Sequence, residues 1–487
     1  MKKRFSAMLF AFAFIFTTVI GRCAYVAFSD VYEVSDTYNS YTLTIGKLHP
    51  YIFDRAGNAL NNNTKTDIAI IRPNEKCLSE LNMLFTSSEI VEITEELSRG
   101  YPVIKEVDKK PDTKYIKFTE RINKNSSDML CPHLLDSKYG GLESYLGDEI
   151  GSLYVNFPVD AMGRLLRGND VDIINNNYDS RDGVIISIDS KIQRICEKAS
   201  QSIQKGAVVV MDSETSQILA SVSRGDDYIN RALSGYAVGS VFKLIVCAAA
   251  LENGVSPLYN CTSSIKVYDT EFACYKKHSH GLQNMKTALA NSCNCYFVNL
   301  ALRLGPEKLY STAKDFGFGE DFKLFDGWTM PSGSFPTLSS LESKGQLSLL
   351  GFGQGQLTDS PVHFASAVSC IANGGNYHPP TLSLEDTEEN RIIKDSTAKK
   401  ICEYMHYVVT DGTGSAADYK GKTYGKTATA QSGIYVNGKE VLNTWFAGFY
   451  SNGANNYTIV VMCEDGSSGA EDCCPVFRSI VENIANM

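Results

Sequence analysis

From Phe5 to Ile20 the chain reads FSAMLFAFAFIFTTVI, and the apolar text continues through Cys23 to Phe28 with one charge, Arg22. Crossing a hydrocarbon core of ~30 Å takes about 20 helical residues, so this stretch is long enough to span a membrane if Arg22 snorkels to the interface. Lys2, Lys3 and Arg4 precede it, and a basic start places the N-terminus in the cytoplasm and everything after Phe28 outside. The competing reading is a cleaved signal peptide. An apolar region this long is unusual for one, and Gly21-Arg22-Cys23 makes a poor small-x-small cleavage site. Residues 1–28 are therefore expected to be a cytoplasmic tip and a single membrane anchor, the only stretch of membrane length. The few residues ahead of it are too few for an intracellular activity.

A chain of 487 residues exceeds one ordinary domain, and 43% hydrophobic with 21% charged residues is a globular composition. Its net charge of −9 argues against a nucleic-acid partner, which would require a basic face to neutralise phosphates. Residues 29–182 are polar, with Asn/Asp-rich patches at Asn61–Asn63 and Asn175–Asp179. Within them Asp67–Ile71 reads as a strand and Ser87–Leu97 as a helix. At Gly183 the texture changes. Asp189 can cap a helix carrying Ile192, Ile195, Cys196, Ala199 and Ile203, and Ala207–Met211 and Ile218–Val222 flank a hairpin turn. The far end repeats this grammar: Trp445–Tyr450 and Tyr457–Met462 flank Ser451-Asn452-Gly453, and Pro475 opens a last helix. Two hairpins separated by mostly helical text predict one antiparallel sheet assembled from both ends of residues 183–487, flanked by helices, an α+β arrangement.

Between the hairpins lies Gly239-Ser240-Val241-Phe242-Lys243, followed by apolar text to Leu251. Residues i and i+3 share a helix face, so the Lys243 amine can lie beside the Ser240 hydroxyl. A serine becomes nucleophilic when something takes its proton, and a lysine desolvated by an apolar helix can be that base. The spacing alone is common: Ser202/Lys205, Ser263/Lys266, Ser311/Lys314 and Ser396/Lys399 share it, all on polar text. Two more pieces follow in order, Ser292-Cys293-Asn294 and Gly425-Lys426-Thr427-Ala428-Thr429. Neither Gly-Lys-Thr has the further glycine a phosphate loop requires.

Ser240-x-x-Lys243, Ser292-x-Asn294 and Lys426-Thr427-Ala428 resemble the three motifs of the penicillin-recognising serine acyltransferases, most closely the transpeptidase domain of class B penicillin-binding proteins. The segments GAVVVMDSETSQILASVS (206–223), GFGQGQLTDSPVHFASAVSCIANGG (351–375), DGTGSAA (411–417) and WFAGFY (445–450) resemble the family as well. The resemblance implies a penicillin-binding transpeptidase fold, with an antiparallel sheet, an all-helical subdomain and a small α+β pedestal at residues 29–182. It implies that Ser240 attacks the D-Ala-D-Ala carbonyl of a peptidoglycan stem peptide, or a β-lactam, with Lys243 as base. Ser292 would pass a proton to the leaving group, Asn294 would hold Lys243 and the substrate amide, and Lys426, Thr427 and Thr429 would bind the substrate carboxylate. It also implies a lipid-linked precursor as substrate and a multi-spanning membrane glycosyltransferase as partner, with no cofactor. Motifs leave open whether an amine or water resolves the ester, and whether the chain is a catalytically weak structural subunit.

Three departures from the family pattern stand out: Val238 in place of the usual proline, Cys293 in the middle of the second motif, and Ala428 where the family has glycine. The added methyl is expected to narrow the cleft. Gly421-Lys422-Thr423 is a second Lys-Thr, but Tyr424 fits the glycine position worse. His278, His280, Cys261 and Cys274 lack the close cysteine pair of structural zinc sites, so no metal is expected. Cys261 and Cys274 read either as a disulfide or as free thiols, while Cys247, Cys295 and Cys370 read as core. Fourteen cysteines in an exported chain, several in core helices, suit an exterior that is not strongly oxidising.

Overall fold

The computed structural model describes residues 2–28, 40–61, 63–124, 129–147, 149–160, 162–166, 171–385 and 390–487. The first helix, α1 (Lys2–Phe28), is helical throughout, and its apolar stretch Phe5–Tyr25 is 0% buried within the protein. The boundary expected after Phe28 adjoins residues 29–39, which lie outside the described residues, as does Asn62 of the first Asn-rich patch. The chain divides into two compact units: residues 1–49, 63–123 and 149–180 form one, and residues 50–62, 124–148 and 181–487 the other.

The smaller unit holds two three-stranded sheets. One runs Ser40–Leu48, Gly151–Pro158, Asp172–Asn176, with antiparallel neighbours. The other places Asn63–Ile71 between Val103–Val107 and Lys117–Lys124. The helix Ser87–Ser98 starts with a capping box between Thr86 and Glu89 and buries Ile93 and Leu97 against Ala69, Ile71 and Val103.

The larger unit is organised by one five-stranded sheet. Its strands are β1 (Gly206–Asp212), β2 (Ile218–Arg224), β3 (Thr423–Val436), β4 (Lys439–Ser451) and β5 (Asn456–Glu464), in the order β2-β1-β5-β4-β3, all neighbours antiparallel. Both predicted hairpins are in this sheet. A strand turns alternate side chains to opposite faces, so Val208, Val210, Phe446, Ile459 and Val461 enter one core while Ala207, Val209, Trp445, Ala447 and Val460 enter another. The first core is closed by α2 (Ser190–Ala199), capped by Asp189 as expected, and by the terminal helix Cys474–Ile484. The second is closed by α3 (Lys243–Glu252), α4 (Asn294–Leu304), α5 (Pro361–Ala372) and α6 (Asp395–Asp411). β3 is one edge of the sheet, and its first half is buried.

Candidate active site

Ser240 sits in a 3₁₀ turn, Gly239–Phe242, immediately before α3, and not within the α-helix itself. In a three-residue turn i and i+3 eclipse, so Ser240 and Lys243 still share a side. Gly239 makes the turn possible: its φ is +59°, its N–H donates to the Gly353 carbonyl at 3.0 Å, and a Cβ there would come within 2.9 Å of the Ala430 methyl on β3. Val238 is fully buried, and the preceding carbonyl of Ala237 accepts from Trp445 Nε1 at 3.0 Å. An apolar contact and an indole hydrogen bond hold the turn where the family uses proline.

The second motif meets Lys243 from the start of α4. Lys243 Nζ donates to Asn294 Oδ1 at 2.7 Å, to the Ser292 carbonyl at 2.9 Å and to Ser292 Oγ at 3.2 Å. Asn294 Nδ2 in turn donates to the Ala273 carbonyl at 3.0 Å. Ser292 holds φ at +52°, a left-handed conformation that costs a residue with a side chain about 1 kcal/mol, and it is kept there by its neighbours.

The third motif comes from β3, which turns Lys426 and Ala428 toward the face closed by α3 and α4. Lys426 Nζ donates to Ser292 Oγ at 3.0 Å and to the Thr427 carbonyl at 2.8 Å. One hydroxyl thus joins two lysines, both 0% exposed. Burial lowers the Lys243 amine to about 8, opposed by the surrounding thiols. Burial, and next the Lys243 charge, push Lys426 well below its ordinary value. The other Ser-x-x-Lys lysines are less enclosed, with Lys205, Lys266 and Lys399 exposed, and Lys422 of the rival Lys-Thr is exposed too. Thr427 Oγ1 hydrogen-bonds Thr413 Oγ1 at 2.6 Å, a partner that motif spacing does not reveal. Thr429 is half-buried, opposite Thr444.

The Ala428 methyl departs from expectation. It is 4% exposed and packed in the core that contains Trp445, the residue opposite it on β4, and so offers almost no surface to narrow a cleft. The close approach is made on its backbone instead, where a Cβ on Gly469 would stand 2.7 Å from the Ala428 carbonyl oxygen and 2.2 Å from that of Trp445.

Cys261 and Cys274 are not bonded: both are free thiols with Sγ atoms 3.7 Å apart. Cys274 Sγ is also 3.8 Å from Cys293 Sγ and 3.5 Å from Cys295 Sγ, and Cys261 Sγ is 3.5 Å from His280 Nδ1. The ligand atoms of Cys261, Cys274, His280 and Cys293 lie within 4.8 Å of one another. Sequence reasoning weighed three of these and missed Cys293, already assigned to the second motif; His278 is not among them.

With this geometry in view, comparison with known proteins decides the family. The penicillin binding protein transpeptidase domain matches residues 206–482. The chain belongs to this family. Among curated relatives of this penicillin-binding family, stage V sporulation protein D of Bacillus subtilis is 32% identical over 357 residues, 63% of this chain and 54% of that protein. Peptidoglycan D,D-transpeptidase MrdA of Haemophilus influenzae is 26% identical over 62% of this chain and 56% of its own. The chain spans about half the length of these relatives. Among solved structures, penicillin-binding protein PBP2 of Helicobacter pylori, in complex with MreC, has the same fold with TM-score 0.66 and 20% identity, covering 92% of this chain and 99% of that one. The D,D-transpeptidase domain of a peptidoglycan glycosyltransferase from Eggerthella lenta aligns with TM-score 0.57 and 22% identity, over 70% of this chain and 96% of that one.

Proposed function

We propose that the chain is a peptidoglycan D,D-transpeptidase that works through an acyl-enzyme on Ser240. The observation that carries this reading is the pair of buried lysines meeting at the Ser292 hydroxyl, one of them three residues after Ser240 at the end of its 3₁₀ turn. Burial lowers both amines, and the neutral fraction of Lys243 is a competent base. Ser240 Oγ attacks the carbonyl between the last two D-alanines while its proton passes to Lys243 Nζ. The C–N bond then breaks, and the proton travels through Ser292 Oγ to the departing D-alanine amine. Asn294 holds Lys243 and the substrate amide. Lys426, itself fully enclosed, supplies positive potential for the terminal carboxylate that the Thr427 and Thr429 hydroxyls bind, and the N–H groups of Ser240 and Thr429 stabilise the oxyanion. The amine of a second stem peptide attacks the ester, forms the cross-link and returns a proton to Ser240. A β-lactam enters the first half of this sequence and stays as a penicilloyl ester.

The remaining assignments extend from this. Residues 1–28 act as a single-pass anchor, 183–487 as the transpeptidase domain, and 29–182 as a pedestal that docks a multi-spanning glycosyltransferase supplying strands from lipid-linked precursor. Mass spectrometry of the full-length protein with penicillin, and separately with a D-Ala-D-Ala stem peptide and an acceptor amine, tests the reading. A penicilloyl adduct on Ser240 and a cross-linked dimer are expected. Simple loss of D-alanine would identify a carboxypeptidase, and no adduct at any penicillin concentration would identify a structural subunit.

A further inference from the structure

The four-residue cluster beside the second motif is built by local folding. The strand Tyr259–Cys261 pairs with Gly281–Gln283 so that Cys261 stands opposite Gly281, which brings His280 to its side. The hairpin Ser264–Val267 with Thr270–Ala273 returns Cys274 to the same place, where its N–H donates to the Ser263 carbonyl at 2.9 Å. Cys293 arrives as the N-cap of α4. The three cysteines are essentially fully buried.

Around a tetrahedral ion with metal–sulfur bonds of about 2.3 Å and a metal–nitrogen bond of about 2.0 Å, sulfurs stand about 3.8 Å apart and sulfur to nitrogen about 3.5 Å. The cluster has 3.7 and 3.8 Å between sulfurs and 3.5 Å from sulfur to Nδ1. These spacings are far too long for a disulfide, whose S–S bond is about 2.0 Å. No carboxylate belongs to the group, which rules against hard cations, and three thiolates with one imidazole suit zinc.

We propose that Cys261, Cys274, His280 and Cys293 bind one zinc ion that fixes the Ser292-Cys293-Asn294 turn. Three thiols enter as thiolates and release their protons to solvent, His280 ligates through neutral Nδ1, and the site carries a net single negative charge. All four positions are filled by the protein, so the ion is structural and leaves no place for a reactive water. Its effect on chemistry is by position. Cys293 lies between the hydroxyl that joins the two lysines and the amide that holds Lys243, and Ala273, whose carbonyl anchors Asn294, precedes the ligand Cys274. The ion therefore stabilises the left-handed Ser292 that the backbone alone disfavours.

The test uses full-length protein purified in detergent with thiols kept reduced. Elemental analysis should find about one zinc per chain, and replacement by cobalt should give the intense visible absorption of a tetrahedral thiolate site. Cys261→Ser and His280→Ala, neither of them a residue of the three motifs, should each bind zinc at least about tenfold more weakly. Stripping the wild-type protein with a chelator should slow penicillin acylation about tenfold, with recovery on adding zinc back. Absence of both zinc and a cobalt spectrum, or a Cys261–Cys274 disulfide in the reduced preparation, would overturn the site. Zinc bound with acylation indifferent to its removal would overturn the positioning role. Metal content and the cobalt spectrum do not depend on acylation, so failure of the proposed transpeptidase reading stays distinguishable from failure of this one.

Discussion

At the scale of single residues the decisive quantity is the protonation of Lys243. Burial brings its amine to about 8, below the ordinary lysine value, so the base form is a minority at neutral pH and grows about tenfold per unit as pH rises toward 8, then levels. The rate of β-lactam acylation measured between pH 6 and 9.5 should follow that curve, and a flat or falling profile would remove Lys243 from the role of base. Lys243→Met keeps the length of the side chain and relieves the desolvation of a cation, so the fold should survive while acylation drops by at least about 10²-fold. Ala428 leads to the opposite kind of expectation. Because its methyl is buried against the core, Ala428→Gly should lower stability by about 1 kcal/mol through lost packing and added backbone freedom. Its acylation rate should change by less than about threefold. A large acceleration would show that the methyl, despite its burial, obstructs the substrate.

At the scale of elements, β3 must lie in one place for Lys426 to reach Ser292, and Gly469 sets how closely the chain behind it can approach. A methyl at that position would collide with the carbonyls of Trp445 and Ala428 on two adjacent strands, neither of which can move without breaking the β3–β4 ladder. Gly469→Ala should therefore cost about 3 kcal/mol and slow acylation with it, measured by thermal melting and penicillin labelling of the same sample. An unchanged melting temperature would mean that the terminal segment is not packed as described. The elements most legible in the sequence were those with a clear period: the two hairpins, the Asp189-capped helix and the helix Ser87–Ser98. The three motifs were legible because their residue types carry chemistry. The burial of Lys426 was not, because a Lys-Thr pair on an edge strand is solvated unless distant helices cover it, and α3 and α4 are far away in sequence. Nor was the cysteine–histidine cluster. Its members come together only after two small strand pairs form and meet α4, and a search for a close cysteine pair overlooks a site whose ligands are spread from Cys261 to Cys293.

At the scale of the whole molecule, α1 is long and apolar enough to cross a membrane. Phe5–Tyr25 gives 21 helical residues, about 32 Å at 1.5 Å per residue, which matches a hydrocarbon core. Its large side chains are among the most exposed apolar groups in the protein, Phe10 at 77% and Phe14 at 74%, and none of the stretch is covered by the rest of the described chain. Apolar surface on that scale is stable in lipid and not in water. Arg22 lies 5.5 Å from the Tyr25 ring, and a cation and an aromatic ring one turn apart suit a membrane–water interface at the end of a span. The same length and position would also serve as a signal sequence, and the two fates differ in what is left behind. If the helix is an anchor, the protein should remain in the membrane pellet after alkaline extraction and keep its first residues in the intact mass. Release into the supernatant, with a mature N-terminus beyond Cys23, would show that the helix is removed and that the rest of the chain is untethered.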